Sequence, residues 1–168
     1  NKKTALSKEC KDLAQEVETA LKKYAVYNHP KYGKIYAFEV DGFGNHHLMD
    51  DANVPSLLAM SYLGYEPESQ EVADNTRKLI LSEANPFYYA GTKLSGIGSP
   101  HTPVRYVWHI SKAIEGLTAP TKEEKHQMIH ELMATDGGTG LMHEGVFVDD
   151  PTVYTREWFS WANAMFCE

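Results

Sequence analysis

The sequence predicts an all-α fold that forms one part of a helical toroid, and two patterns support this prediction. Apolar residues recur at three- and four-residue steps along several segments, as on one face of an α-helix. The connections between these segments alternate between short and long, which is typical of stacked helix hairpins. Helices that start near residues 55, 105 and 156 recur about every fifty residues. An ordinary domain of crossing helices with long loops is the alternative.

The first element is a predicted helix over 4–24, with Leu6, Cys10, Leu13 and Val17 on one apolar stripe. Residues 34–40 are rich in β-formers, and DGFGN (41–45) is typical of a turn. Residues 46–49 can return beside the first strand. This region therefore predicts a small β-hairpin.

The remaining helices are predicted from their start and stop signals. Asn53 as a cap, followed by Pro55, predicts a helix over 55–63, and Gly64 ends it. Ser69 opens a helix to about residue 82, and a third apolar element covers 105–115. The capping box TKEE (121–124) opens a helix to about residue 134. A final helix starts at residue 155 or 156.

In a toroid, the helices at 55–63, 105–115 and 156–168 would form the inner wall, because they are the more apolar of each pair. The long links would then leave at one end and meet at the mouth of the central cavity. A site is expected at that mouth.

Composition indicates one globular domain over 168 residues and restricts the function classes. Net charge is −7, which argues against a nucleic-acid partner. The apolar runs are too short to span a bilayer, so no membrane partner is expected. Cys10 and Cys167 lack metal-type spacing, and both are expected to be buried as small hydrophobes. With few cysteines and no visible leader, a cytoplasmic location is expected.

The first polar loop, NHHLMDDAN (45–53), carries two adjacent carboxylates, Asp50 and Asp51. Either one can cap the following helix, because the helix dipole favours a negative charge there. The other is free to bind substrate hydroxyls. His46 and His47 are a weak metal candidate, since neighbours in an extended segment point to opposite faces.

The second loop, GIGSPHTP (96–103), displays Ser99, His101 and Thr102 on a path fixed by glycine and proline. It lacks a preceding strand and the third glycine of a dinucleotide fingerprint. A loop that hydrogen-bonds a polyol is the favoured interpretation.

The third loop, ATDGGTGLMHE (134–144), places Glu144 beside His143 after a run of glycines. A carboxylate held in this way is a candidate general base, although an ordinary loop glutamate is the simpler interpretation of Glu144 alone. The aromatic residues of the last helix are candidates for core packing, and one of them for stacking on a sugar ring. Glycoside cleavage needs such carboxylates and polar groups.

Four segments together resemble glycoside hydrolase family 125. They are LMDDANVPSLL (48–58), GIGSPHTP (96–103), TGLMHE (139–144) and the stretch from DDP (149–151) to TREWFSWAN (155–163). The resemblance runs from about residue 27 to the end of the chain. It implies part of an (α/α)6 barrel and a metal-independent, inverting exo-α-1,6-mannosidase that needs no cofactor.

The resemblance also implies roles for single residues. Glu144 would be the general base that activates water. The family's general acid is an aspartate in an RPSDD motif, which does not occur in this sequence, so we expect it outside this chain. The remaining residues, which fall in family motifs, would contact the sugar: Asp50, Asp51, Asn53, His101, His143 and Arg156.

The implied partners are an α-1,6-linked mannose oligosaccharide and a missing N-terminal part of the same protein. Residues 1–168 would then be the C-terminal portion of the catalytic domain, inactive alone and prone to associate through exposed apolar surface. The alternative functions are a non-catalytic carbohydrate-binding helical domain and a helical interaction domain with no sugar site.

Overall fold

The structure is a computed structural model that describes residues 2–168. The five α-helices are α1 (Lys2–Ala20), α2 (Gln70–Ile80), α3 (His109–Leu117), α4 (Lys122–Ala134) and α5 (Ser160–Phe166). A π-helical turn, Leu21–Ala25, continues α1. The strands are β1 (Val26–His29), β2 (Gly33–Tyr36), β3 (Glu39–Val40), β4 (His46–His47), β5 (Tyr88–Ala90), β6 (Ser95–Ile97), β7 (Tyr106–Trp108), β8 (Gly145–Phe147) and β9 (Tyr154–Thr155).

The prediction of an all-α chain with one hairpin is not confirmed, because the long links contain short strands. Strand pairs β1–β2, β3–β4 and β5–β6 form two-stranded antiparallel sheets, and β7–β8–β9 form a three-stranded sheet. Val107 pairs with Val146 across β7 and β8. That pairing joins residues far apart in the chain, so local apolar periodicity does not reveal it.

Helix α3 forms the centre of the molecule. Its residues from His109 to Ile114 are buried, and it packs against α4 and α5. Ile110 and Ile114 join Leu79, Ile80 and other apolar side chains in the main core. Helices α2 and α4 bury only one side each. The predicted contrast between an apolar helix and its amphipathic partner is therefore present in the α3–α4 pair.

The predicted helix over 55–63 does not form. The segment from 53 to 64 consists of bends and turns, and the Val54–Pro55 peptide is cis. The backbone N–H groups of Leu57 and Leu58 donate to the carboxylate of Asp50. The Asp50 side chain, three residues before Asn53, thus replaces the expected cap at Asn53.

Helix α1 lies on the outside with its apolar stripe uncovered. Leu6 is 60% exposed and Leu13 is 61% exposed. Cys10, on the same helix, and Cys167 are both exposed, so the prediction that they are buried was wrong. Within residues 2–168, no helix is both long and apolar enough to cross a membrane.

Candidate active site

Glu144 directly precedes β8, the central strand of the three-stranded sheet. Its N–H donates to the Thr155 carbonyl at 3.2 Å, and the next residue, Gly145, pairs with Trp108 on one side and Thr155 on the other. Glu144 is 9% exposed. Neighbouring strands therefore fix its backbone, and its carboxylate keeps a narrow opening to the surface.

Arg156 supplies a cation beside this carboxylate. Its Nε lies 3.4 Å from Oε1 of Glu144, and its side chain is 67% exposed. Arg156 has a positive φ of 45°, which is unusual for a residue with a side chain and is concentrated at functional sites. Its guanidinium also lies 5.9 Å from the centre of the Phe159 ring. The structure thus places Arg156, which was predicted to contact the sugar, beside Glu144.

His143 is buried, with no exposed surface. Its backbone N–H donates to Nδ1 of His109 at 2.9 Å. Its ring stacks on the Tyr154 ring, with 3.8 Å between the ring centres. A side chain enclosed in this way does not reach a ligand at the surface. The structure therefore gives His143 a supporting role beneath Glu144, and not the predicted sugar contact.

Asp50 is also enclosed. It has no exposed surface, and its two carboxylate oxygens each accept a backbone N–H at 2.9 Å, from Leu57 and Leu58. Burial raises its pKa to about 7, against the opposing effect of those N–H donors. Asp50 organises the 53–64 turns from the inside, so the predicted contact of Asp50 with substrate does not fit its position.

Asp51 and Asn53 remain partly open to solvent. The Asn53 side-chain amide donates to Oδ2 of Asp51 at 3.0 Å, and the Asn53 N–H lies 3.4 Å from Oδ1. The pair forms a compact set of acceptors and donors. Such a set suits adjacent hydroxyl groups of a sugar.

The loop that carries His101 is tied to the Asp51 loop by backbone contacts. The Ala52 N–H donates to the Gly98 carbonyl at 3.1 Å. A Cβ at Gly98 would lie 2.2 Å from the Tyr106 carbonyl oxygen, so only glycine allows this approach. His101 is exposed on the same loop.

The same loop is also tied to the sheet that holds Glu144. The Trp108 indole donates to Thr102 Oγ1 at 2.9 Å, and Trp108 pairs with Gly145. These contacts therefore connect the loops that carry Asp51 and His101 to the sheet that holds Glu144. Two pairs of the predicted residues are in direct contact, Asn53 with Asp51 and Arg156 with Glu144.

Asn85 and Trp108 are supporting residues that sequence reasoning missed. Asn85 is buried; it accepts the Asp50 N–H at 3.2 Å and donates to the carbonyls of Asp50 and Ile80. Trp108 lies in the segment 105–115, which was predicted only as an apolar element. Nothing in the local sequence marks these roles, because each partner comes from a distant segment.

Among residues 2–168, no group of three or more His, Cys, Asp or Glu side chains is placed to hold a metal ion. The site offers instead a sparsely exposed carboxylate, a nearby guanidinium and polar side chains at its edge. This arrangement can accept a proton from a bound water and hold hydroxyl groups.

Residues 1–168 match the family model of metal-independent α-mannosidases, glycoside hydrolase family 125. The chain belongs to this family. The resemblance drawn from the sequence motifs is thus confirmed, and family 125 proteins are glycoside hydrolases that need no metal.

Two known proteins are similar to nearly the whole of this chain. It is 46% identical over 156 residues to the meiotically up-regulated gene 157 protein of Schizosaccharomyces pombe, covering 92% of this chain and 31% of that protein. It is 53% identical, with a TM-score of 0.94, to a metal-independent α-mannosidase of Streptococcus pneumoniae in a non-productive complex with α-1,6-mannobiose. That match covers 98% of this chain and 38% of the solved chain. The chain thus spans about a third of the length of these relatives.

Proposed function

We propose that this chain supplies the catalytic base and part of the sugar-binding face of an inverting exo-α-1,6-mannosidase that works without a metal. The observation that carries the proposal is the position of Glu144, 9% exposed and paired with Arg156 in a protein of family 125. The bacterial relative was solved with α-1,6-mannobiose, which supports the same class of substrate here.

In the proposed reaction, Glu144 accepts a proton from a water molecule as that water attacks the anomeric carbon. The glycosidic C–O bond breaks, and the leaving oxygen takes a proton from a carboxylic acid. We expect this acid in a part of the protein outside this chain. In an inverting enzyme the two carboxyl groups lie about 6.5–9.5 Å apart, which leaves room for the water.

The remaining residues of the face have separate proposed roles. Arg156 holds the carboxylate of Glu144 in place through its Nε, 3.4 Å away. Asp51, Asn53 and His101 bind hydroxyl groups of the terminal mannose. These contacts would select the sugar, whereas Glu144 would carry the chemistry.

Substituting Glu144 tests the proposal directly. In the full-length protein that contains this chain, Glu144→Gln should lower kcat on α-1,6-mannobiose by about 10³-fold, because the amide cannot accept the proton from water. The variant should still bind the disaccharide, as measured by calorimetry. The rate is measured from the mannose released over time.

The matched control is Glu123→Gln, an exposed position in the first turn of α4, which should keep full turnover. Unchanged turnover in Glu144→Gln would reject Glu144 as the base. Sugar binding without turnover in the unmodified full-length protein would favour the carbohydrate-binding alternative.

The stereochemistry of the product is a second, independent test. Water that attacks from the face opposite the leaving group produces β-mannose first. Proton NMR during the first minutes of hydrolysis should therefore show the β-anomer before the α-anomer appears by mutarotation. Initial release of α-mannose would contradict inversion, even if Glu144 proved essential.

A further inference from the structure

Two asparagine side chains bind backbone segments in the same way. Asn85 Oδ1 accepts the Asp50 N–H at 3.2 Å, and its Nδ2 donates to the Asp50 carbonyl at 3.3 Å. Asn163 Oδ1 accepts the Met142 N–H at 3.0 Å, and its Nδ2 donates to the Met142 carbonyl at 2.8 Å. Each amide therefore holds one residue by both of its backbone polar groups, as a paired strand residue does. Such a pair of contacts is an amide clamp.

Each clamp is anchored at the end of a helix. Asn85 Nδ2 also donates at 3.1 Å to the carbonyl of Ile80, the last residue of α2. Asn163 lies in α5, and its Nδ2 also donates at 2.8 Å to the carbonyl of Phe159, the residue before that helix. Oxygen must face the N–H groups and nitrogen must face the carbonyls, so the hydrogen bonds fix the orientation of both amides.

The clamp at Asp50 directly precedes Asp51, a proposed sugar contact. Asn85 holds the carbonyl of the peptide group between Asp50 and Asp51. The next peptide group is held through the Ala52 N–H, which donates to the Gly98 carbonyl at 3.1 Å. Because peptide groups are planar, fixing the groups on both sides of Asp51 fixes the direction of its side chain.

Asn85 also joins the Asp51 loop to the loop that carries His101. Its Oδ1 accepts the Phe87 N–H at 3.1 Å, and the Phe87 carbonyl accepts the Gly98 N–H at 2.8 Å. With the contact from Ala52 to Gly98, these hydrogen bonds form a closed ring that begins and ends at Asn85. Glu144 takes no part in this ring. Loss of Asn85 would therefore displace the two sugar-binding loops and leave the base in place.

The second clamp lies two residues before Glu144. Three consecutive N–H groups, from Met142 to Glu144, each donate to a different segment, with Asn163, His109 and Thr155 as acceptors. The Met142 carbonyl is held as well, by Asn163 and by the Phe159 N–H at 3.3 Å. Loss of Asn163 would therefore release the start of the segment that leads to the base.

We infer that Asn85 and Asn163 are positioning residues with separate effects, Asn85 on sugar binding and Asn163 on the rate of the chemical step. This inference rests on the proposed function, in which Asp51 and His101 bind hydroxyl groups and Glu144 accepts a proton. Neither asparagine needs to contact the sugar, because each acts through the loop that it holds. The two clamps hold different loops, so their effects should be separable in one protein.

Asn85→Ala in the full-length protein tests the first effect. The dissociation constant for α-1,6-mannobiose should rise by about 10-fold, as for the loss of one hydrogen bond to the sugar. Calorimetry measures it in the Glu144→Gln background, where hydrolysis does not consume the ligand. Without that second substitution, kcat of Asn85→Ala should stay close to the value of the unmodified protein.

Asn163→Ala should produce the reverse pattern. A misplacement of about 1 Å costs about 10²-fold in rate, and two of the three N–H contacts before Glu144 remain, so we expect kcat to fall by about 10-fold. In the Glu144→Gln background, the dissociation constant for the disaccharide should not change. The calorimetric stoichiometry counts the protein molecules that are folded, so partial unfolding is not mistaken for a lower kcat.

Asn75→Ala is the control for the loss of an asparagine amide. Asn75 Nδ2 donates to the Lys34 carbonyl at 3.3 Å, outside both clamps, and the variant should keep both constants. If an alanine variant of either clamp does not fold, the serine variant of that position gives the same comparison. Its smaller polar side chain leaves space for water, which satisfies the freed backbone groups without tethering them.

Each asparagine has a result that overturns its assignment. An unchanged dissociation constant in folded Asn85→Ala overturns the first, and an unchanged kcat in folded Asn163→Ala overturns the second. Equal losses in both constants for both variants would show general support of the fold and overturn the two together. Failure of the proposed function is visible earlier, since the unmodified protein would then neither bind nor cleave the disaccharide, and both assignments would fall with it.

Discussion

The carboxyl group of Asp50 is surrounded by the chain, and its burial has a consequence for stability. Its pKa is raised from 3.8 to about 7 in the folded protein, mainly by burial. Between these values the folded state holds a proton that the unfolded state has released. The free energy of unfolding contributed by Asp50 therefore falls as pH rises from about 4 to about 7.

Between about pH 4 and about pH 7, Asp50 alone should change the free energy of unfolding by about 4 kcal/mol. Because Asn does not titrate, Asp50→Asn should remove this dependence. Denaturant unfolding at several pH values, compared between the variant and the unmodified protein, measures it. Asp74→Asn, exposed on α2, controls for the loss of any carboxyl group. The prediction fails if the difference between Asp50→Asn and the unmodified protein does not vary with pH.

His109 makes the free energy of unfolding change with pH in the opposite direction to Asp50. For this reason the test compares Asp50→Asn with the unmodified protein. Its pKa is lowered to about 3, mainly by burial, so the unfolded state binds a proton more readily below about pH 6.5. Stability from His109 is thus lost as pH falls from about 6.5 toward 3. In the unmodified protein this slope partly cancels that of Asp50.

At the scale of elements, the loop at 96–103 depends on one close backbone approach. In Gly98→Ala the new methyl group would meet the Tyr106 carbonyl at 2.2 Å and the Tyr89 ring at 2.7 Å. We expect a loss of about 3 kcal/mol in the free energy of unfolding, because carbonyl and ring are both held by the fold. Denaturant unfolding gives the value.

Gly64→Ala is the useful comparison for this loop. Gly64 has a positive φ of 74° but open space around its Cα, so its cost is confined to backbone conformation, about 1 kcal/mol. Equal losses in the two variants would show that steric contact at Gly98 is not what restricts the loop.

Elements with their own local signals were predicted well. Ser69 accepts the Val72 N–H at the start of α2, and Thr121 accepts the Glu124 N–H at the start of α4; both caps were predicted from a few adjacent residues. By contrast, the helices predicted at 105 and 155–156 begin later, at His109 and Ser160. Strands β7 and β9 occupy those positions because β8, remote in sequence, pairs with both.

At the scale of the whole molecule, the apolar stripe of α1 is exposed to solvent. Leu13, Val17 and Leu21 line a groove of about 580 Å³ between α1 and the turn at Gly64–Glu66. Burying such side chains is favourable by about 2 kcal/mol each. We propose that the N-terminal part of the longer protein covers this stripe and completes the barrel.

Residues 1–168 produced alone should therefore associate. Light scattering after size-exclusion chromatography should show species larger than 18.9 kDa, and Leu6→Glu combined with Leu13→Glu should shift them toward the monomer. Lys3→Glu with Lys11→Glu changes the net charge of α1 further without touching its apolar residues and serves as the control. A monomeric unmodified chain would contradict a role for the stripe as an interface.

The sequence by itself determined the family, the capped helices and the loops that carry polar groups, because short contiguous motifs specify each of them. Only the tertiary structure decided that Asp51, Asn53, His101 and Arg156 are open to solvent while Asp50 and His143 are fully buried. The reason is physical: the accessibility of a side chain depends on the distant segments that pack over it. Asp50 is enclosed by Asn85 and by the N–H groups of Leu57 and Leu58, and His143 by two carbonyls and two rings.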